Sequence, residues 1–333
     1  MTVNAELYRR IIALADLVTP MAVRAAATLR IADHIGEGGQ SLVELARCTG
    51  ARPRPLGKLM DHMVSLNILD FKDGRYHLTD MGSVLRREGT SPWPFEQLDI
   101  DGVIGRTELS VIRLMHTLRT GESVYHGMYG TDLWSYINGL EDADDALSSQ
   151  SQPELAFDVD LLMDHPCWRT ASTVVDVGGN TGALVEALLA RYPDLCATLL
   201  DLPAFAHVAR QRFADSGMSD RATVIGRSFF DLLPEGADVY VLSSVLADWD
   251  DASAVRLLRN CADAAGKDGR ILVSEVCLTE HLQRADTAMA LWLEAAMENP
   301  DRTVEDISIL AAEAGLSVAR VDRAPTRMVL ELY

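Results

Sequence analysis

The chain has 333 residues, 48% of them hydrophobic and 24% charged, enough for two ordinary domains with a sizeable core. Its formal net charge of −19 argues against nucleic acid as a partner, because no Lys/Arg run supplies a local basic patch. Met1–Glu6 has no basic or apolar leader pattern, and no run of about eighteen uninterrupted apolar residues occurs, so a cytoplasmic protein with no membrane partner is expected. The five cysteines (Cys48, Cys167, Cys196, Cys261, Cys277) form no C-x-x-C pair, which points to buried reduced thiols and no metal site.

In chain order, residues 5–35 read as helical, with a broad apolar face from Leu14 to Ile35 and Pro20 starting or kinking a helix. Its many alanines suit either an ordinary core helix or a dimer interface. Residues 40–85 read as a winged helix: Ser41 and Glu44 have capping-box spacing, 53–69 supply further helices, and Asp73-Gly74 is the turn of a small hairpin. The candidate recognition segment 56–68, on so acidic a chain, is poorly suited to DNA. Residues 104–120 have helical spacing, Ser91–Phe95 reads as a turn with two aromatics, and 139–150 as a connection. From Val174 onward short apolar runs alternate with helical stretches at 183–191, 204–217, 252–265 and 303–314, which specifies an α/β domain with a mostly parallel sheet. Ser317–Val321 and Arg327–Leu332, joined through Pro325, read as an antiparallel hairpin at the sheet edge.

Four segments fall where strands end, the place open α/β sheets bind ligands. Asp176-Val177-Gly178-Gly179-Asn180-Thr181-Gly182 is a turn in which glycine permits close approach and Asn180 tolerates left-handed backbone. Asp176 can orient that loop or meet an ammonium. Asp201 and Leu202 follow the next run, and an acid at that spacing can accept from ribose hydroxyls. In Ser228-Phe229-Phe230-Asp231 the aromatics suit an adenine face as well as they suit a core. The last segment runs from Ser243 through Ala247-Asp248-Trp249-Asp250-Asp251. The absence of G-x-G-x-x-G argues against a nicotinamide-dependent oxidoreductase.

Together these segments resemble the small-molecule O-methyltransferases of plants and antibiotic pathways, which use S-adenosylmethionine, and especially the bacterial enzymes acting on naphthoate or aromatic polyketide units. Arg119-Thr120-Gly121 and Gly130 through Trp134 extend the likeness, which runs from about residue 10 to the C-terminus. The resemblance implies a Rossmann-like class I methyltransferase domain with an antiparallel C-terminal hairpin, and a mainly helical winged-helix dimerisation domain. The expected boundaries are 1–90 for dimerisation, 91–150 for a helical linker and pocket region, and 151–333 for the cofactor domain. It implies a homodimer, a small-molecule substrate, and S-adenosylmethionine, or S-adenosylhomocysteine as product, held by Asp176, Gly178, Gly179, Gly182, Asp201, Leu202, Ser228, Phe229, Ser243 and Trp249. Met289, Trp292, Leu293 and Met297, spaced along one helix, are expected to line the acceptor pocket.

The chain departs from the family in one chemical respect above all: Ala247 stands where the general-base His belongs, and a methyl side chain accepts no proton. Ala290 stands where an acid often orients that His, Asn299 through Thr303 replaces Gly-Gly-Lys-Glu-Arg-Thr, and Leu147 through Ser151 replaces Phe and Met. His116, His126 and His281 offer no pattern of a catalyst. Asp248 is expected to cap the following helix or hold its loop, and Glu294, one turn past Ala290, is a candidate for a direct role. Three readings stay open: methyl transfer to an acceptor that needs no His, a non-methylating S-adenosylmethionine-dependent cyclase, decarboxylase or hydroxylase, and an inactive partner or metabolite-sensing winged-helix protein.

Overall fold

The computed structural model describes residues 4–87, 98–141, 143, 147, 157–277 and 287–333. The segments at Ser91–Phe95, Ser148–Ser151 and His281 lie outside them. Two compact units result, 1–109 and 110–333, so the central region expected at 91–150 is divided between them.

The first unit contains α1 (Ala5–Leu14), α2 (Val18–Thr28), α3 (Ile31–His34), α4 (Leu42–Thr49), α5 (Pro53–Ser65), β1 (Leu69–Lys72), β2 (Arg75–Leu78), α6 (Asp80–Ser83) and α7 (Val103–Glu108). The break between α1 and α2 falls at Asp16 rather than Pro20. The Asp16 carboxylate accepts from the amides of Val18 and Thr19 and so starts the second helix itself. The Ser41–Glu44 capping box forms in full. Asp73 and Gly74 both take left-handed backbone, as a two-residue hairpin turn requires, and β1 pairs antiparallel with β2. Leu45, Leu56, Met60, Met63 and Tyr76 form the core of this unit.

Helix α1 buries none of its residues, and Leu7, Ile11, Ile12 and Leu14 are exposed. Contrary to expectation, Ala5–Thr28 is long and apolar enough to cross a membrane by length and composition. Isolated charges such as Asp16 and Arg24 interrupt the apolar run but leave its average apolar.

The second unit contains α8 (Leu114–Thr120), α9 (Tyr125–Tyr129), α10 (Leu133–Asn138), α11 (Asp160–Met163), β3 (Thr173–Val177), α12 (Ala183–Arg191), β4 (Cys196–Asp201), α13 (Pro203–Asp215), β5 (Ala222–Gly226), β6 (Val239–Ser243), α14 (Asp251–Ala265), β7 (Arg270–Val276), α15 (Thr287–Ala296), α16 (Val304–Glu313), β8 (Val318–Arg323) and β9 (Arg327–Leu332). The helix expected over 104–120 is interrupted by a 3-10 turn at Leu109–Arg113. The sheet order is β5-β4-β3-β6-β7-β9-β8, with the first five strands parallel and β9 antiparallel to both neighbours. The expected C-terminal hairpin is present and β8 is its outer strand.

The parallel strands are apolar on both faces, and each face is covered by helices. Tyr240, Leu242, Leu257, Leu258, Ile307 and Leu330 fill one side; Val174, Leu184, Leu188, Leu199 and Phe213 fill the other. Cys167 and Cys261 are buried free thiols as expected, but Cys48 and Cys196 are exposed. The connections reverse direction between β3 and β6, which opens a crevice at the carboxyl ends of these strands.

Candidate active site

A cavity of about 520 Å³ occupies that crevice, entirely within the second unit. Such a volume suits one cofactor-sized or drug-sized molecule with part of a second. Its walls include Asp176, Gly178 and Gly179 from the first turn, Asp201 and Leu202 after β4, and Ser228 and Phe229 after β5. Ser243 ends β6 and Ala247, Asp248 and Trp249 follow it, while Met289, Trp292 and Leu293 come from α15 and Met297 from just past its end.

The first turn is shaped by close packing. A Cβ on Gly179 would stand 2.6 Å from the Asp176 carboxylate, so glycine is required for the loop to lie over that buried acid. Gly182 has φ +86°, and a Cβ there would meet the Phe213 ring at 2.7 Å; it starts α12 and does not line the cavity. Asn180 takes φ 51°, the left-handed conformation its side chain tolerates. Its amide donates to Asp201 Oδ2 at 2.7 Å, and the Leu202 amide donates to Oδ1 at 2.6 Å. Each oxygen keeps a further lone pair for a ligand hydroxyl. Burial pushes the Asp201 carboxyl up to about 6, against the pull of the two amides.

Phe229, Phe230 and Trp249 form an aromatic cluster at the cavity wall. The Phe229 and Trp249 rings meet edge to face at 5.6 Å and 88°, and those of Phe230 and Trp249 at 4.7 Å and 86°. Asn260 fixes the Phe229 carbonyl, and Arg256 sits over the Phe230 ring. The two phenylalanines are therefore half-buried wall residues rather than simple core.

The loop after β6 is clamped by Arg302. Its guanidinium donates to the carbonyls of Leu246 and Trp249 and to the Asp251 carboxylate. Asn299 donates its amide to the Ala247 carbonyl at 3.0 Å. The segment 299–303, which departs from the family pattern, thus still secures the loop. Asp250, not Asp248, caps α14 by accepting from the Ser253 amide at 2.7 Å. Asp248 faces the cavity instead. Burial, then the neighbouring Glu275, raises its proton affinity well above the carboxylate range, while a hydrogen bond with Trp134 opposes this.

Glu275, near the end of β7, was not singled out from the sequence. It is buried at the cavity wall, and its Oε1 accepts from the amides of Val245 at 3.1 Å and Leu246 at 2.9 Å. It therefore underlies the loop that carries Ala247. Burial pushes its carboxyl up to about 7, opposed by those amides and by the charges of Arg327 and Arg302. The available signal was an acid at the carboxyl end of an apolar strand, the same pattern as Asp176 and Asp201. Glu294 does not line the cavity: the helix turns Met289, Trp292, Leu293 and Met297 inward, and Ala290 and Glu294 occupy a neighbouring face. His116 and His126 are also absent from the cavity wall.

Comparisons with known proteins agree with this architecture. Residues 112–317 match the O-methyltransferase domain and residues 13–88 the O-methyltransferase dimerisation domain. The chain belongs to the O-methyltransferase family. It is 41% identical over 323 residues to 2,7-dihydroxy-5-methyl-1-naphthoate 7-O-methyltransferase of Streptomyces carzinostaticus, covering 92% of each chain. It is 35% identical to aclacinomycin 10-hydroxylase RdmB of Streptomyces purpurascens, covering 92% of this chain and 83% of that protein. The crystal structure of NcsB1, an O-methyltransferase from neocarzinostatin biosynthesis in complex with S-adenosyl-L-homocysteine, superposes with a TM-score of 0.84 at 38% identity, covering 97% of this chain and 100% of that one.

One stability consequence follows from Glu275. Its folded-state proton affinity is raised, so the native protein holds this proton more tightly than the unfolded chain, and its contribution to stability falls as pH rises from the ordinary carboxylate range through about 7. Glu275→Gln keeps an Oε1 for both amides and removes the buried charge. Urea unfolding at pH 5 and pH 8 is expected to show the variant gaining stability relative to wild type at the higher pH.

Proposed function

We propose that this protein binds S-adenosylmethionine and methylates a hydroxyl of a small aromatic or polyketide-like natural-product intermediate, releasing S-adenosylhomocysteine. The observation that carries this reading is the lining of the cavity. Among the described residues its walls hold Asp132, Asp176, Asp201, Asp248 and Glu275 and no Lys, Arg or His. Acidic groups with no fixed cation among them suit a cofactor bearing a sulfonium and an ammonium. Asp201, with lone pairs left after two amide bonds, suits the ribose hydroxyls; the cluster of Phe229 and Trp249 suits the adenine; Asp176, with Gly178, Gly179, Leu202, Ser228 and Ser243, borders the same space. Gly182 supports this site through the backbone of α12. When bound, the cofactor supplies an electrophilic methyl group.

The chain's own residues then position the acceptor and remove its proton. Met289, Trp292, Leu293 and Met297 offer an apolar wall for a flat ring. With Ala247 in the base position, Glu275 is our candidate for the proton acceptor. It lies beneath the Ala247 loop, and a carboxylate titrating near 7 accepts a proton more readily than an ordinary one. As the new O–CH₃ bond forms and the S–CH₃ bond breaks, the hydroxyl proton passes to Glu275.

A second reading is favoured by Ala247 together with the 35% identical relative named as a hydroxylase. On that reading the cofactor is an electrostatic element and its methyl is not transferred. Incubation with aromatic intermediates and methyl-labelled donor, scoring both label transfer and unlabelled product, separates the two.

We further propose a cytoplasmic homodimer built through the first unit, with neither nucleic acid nor membrane as partner. Support comes from the match to the dimerisation domain and the exposed apolar residues of α1.

Four outcomes are expected. Asp201→Ala should weaken S-adenosylhomocysteine binding by about 1.5–3 kcal/mol, the range for charge-assisted hydrogen bonds, as read by calorimetry. Glu275→Gln should lower methyl transfer about a hundredfold or more while leaving that affinity near wild type. The wild-type rate should rise with pH through about 7 whichever acceptor is used; a limb that tracks the acceptor's own pKa would show that the acceptor ionises unaided. Light scattering at micromolar concentration should give twice the chain mass, and charged substitutions at Ile11 and Leu14 should reduce it to a monomer.

A further inference from the structure

Arg327, the first residue of β9, is a fully buried cation whose hydrogen bonds the reaction described above does not explain. Its Nε donates to the Phe157 carbonyl at 2.8 Å, and Nη1 donates to Ser274 Oγ at 3.0 Å and to Ser243 Oγ at 3.4 Å. Ser243 and Phe157 both line the cavity. Phe157 has φ 53° and Asp158 has φ 52°, two consecutive non-glycine residues in the left-handed region. Such a pair persists only where surrounding contacts hold it. The contacts here come from one corner of the sheet. Arg327 takes the Phe157 carbonyl, and the neighbouring Thr326 donates its amide at 2.8 Å and its hydroxyl at 2.7 Å to Asp158 Oδ2.

We propose that Arg327 is a positioning residue that holds Phe157 in the cavity wall and so shapes the acceptor half of the site. This rests on the O-methyltransferase reading of the cavity. The placement favours the acceptor half for a topological reason. Arg327 ties Phe157 to the ends of β6 and β7, beside Glu275 and below the loop of Ala247. Asp201, which ends β4, and Ser228, which follows β5, are assigned to adenosine and lie on the other side of β3; of the cofactor residues only Ser243, 3.4 Å from Nη1, meets Arg327. A buried guanidinium suits this task because its planar fork meets the backbone carbonyl and the two hydroxyls from two separate nitrogens held in fixed geometry, whereas an ammonium carries all its donors on one atom.

The test uses Arg327→Lys, Phe157→Ala, their combination, and Asp158→Ala, which removes the Thr326 anchor at an exposed position. Calorimetry with S-adenosylhomocysteine and with 1,4-dihydroxy-2-naphthoic acid, the ligand in a 40% identical structure of NcsB1, reads the two halves separately. Asp158→Ala, which leaves the Arg327–Ser243 bond in place, is expected to weaken the naphthoic acid about tenfold and S-adenosylhomocysteine less than about threefold; Arg327→Lys, which also disturbs that bond, is expected to weaken the naphthoic acid more than S-adenosylhomocysteine. On the Phe157→Ala background, Arg327→Lys should cause no further loss. Equal losses for both ligands, an unchanged naphthoic acid affinity, or a full additional loss on the Phe157→Ala background would overturn the proposal.

If the wild type binds neither ligand, the functional reading fails, and if it binds only S-adenosylhomocysteine, the acceptor reading fails. Amide exchange of the unliganded protein then decides the positioning role. The Leu161 amide donates to the Asp158 carbonyl and reports on this segment. It should exchange about tenfold faster in both Arg327→Lys and Asp158→Ala, with the amides of β3 unchanged. Unchanged exchange at Leu161 overturns the proposal. Asp158→Ala provides the same readouts should Arg327→Lys fail to fold.

Discussion

The catalytic unit is organised around a carboxylate that is costly to bury. Glu275 is lifted out of water at the end of β7, and the amides of Val245 and Leu246 are the groups that repay its lost hydration. That requirement fixes the loop after β6 against β7. Arg302 holds the same loop from the opposite side through the carbonyls of Leu246 and Trp249. The position of Ala247, the exposure of Asp248 to the cavity and the placement of Trp249 against Phe229 all follow from this two-sided clamp.

The same device recurs along the sheet. Asp201 is held by the amides of Asn180 and Leu202, and Asp176 lies under Gly179, so acids at successive strand ends face one apolar cavity. Backbone amides hold the carboxyls of Asp201 and Glu275 and leave each of them lone pairs and proton affinity for a ligand. On the proposed function such a site receives a cationic cofactor and a proton. On the proposed function, Glu275 supplies a base beneath the loop that carries Ala247, a route to methyl transfer without an imidazole at that position.

Much of this was legible in the sequence. The alternation after Val174 gave the parallel sheet, and the Ser41–Glu44 spacing and Asp73-Gly74 turn gave the winged helix, because capping, turn formation and strand periodicity depend on neighbouring residues. The glycine turn, Asp201, Phe229 and Trp249 stood at strand ends, a place that periodicity locates. Of the two tasks open to Asp248, capping the next helix or holding its loop, the first falls to Asp250, because α14 begins at Asp251, a boundary that neighbouring acids do not mark in the sequence.

What the sequence by itself determined was the class of fold, the order of the strand-end motifs and the absence of an imidazole at Ala247. Only the tertiary structure decided that Glu275 and Asp248 share a cavity, that Glu294 turns away from it, and that Arg327 and Phe157 meet across 170 residues of chain. These depend on the angular phase of a helix and on pairing between distant strands. Spacing along the chain does not encode such distances; the packing of the folded sheet does.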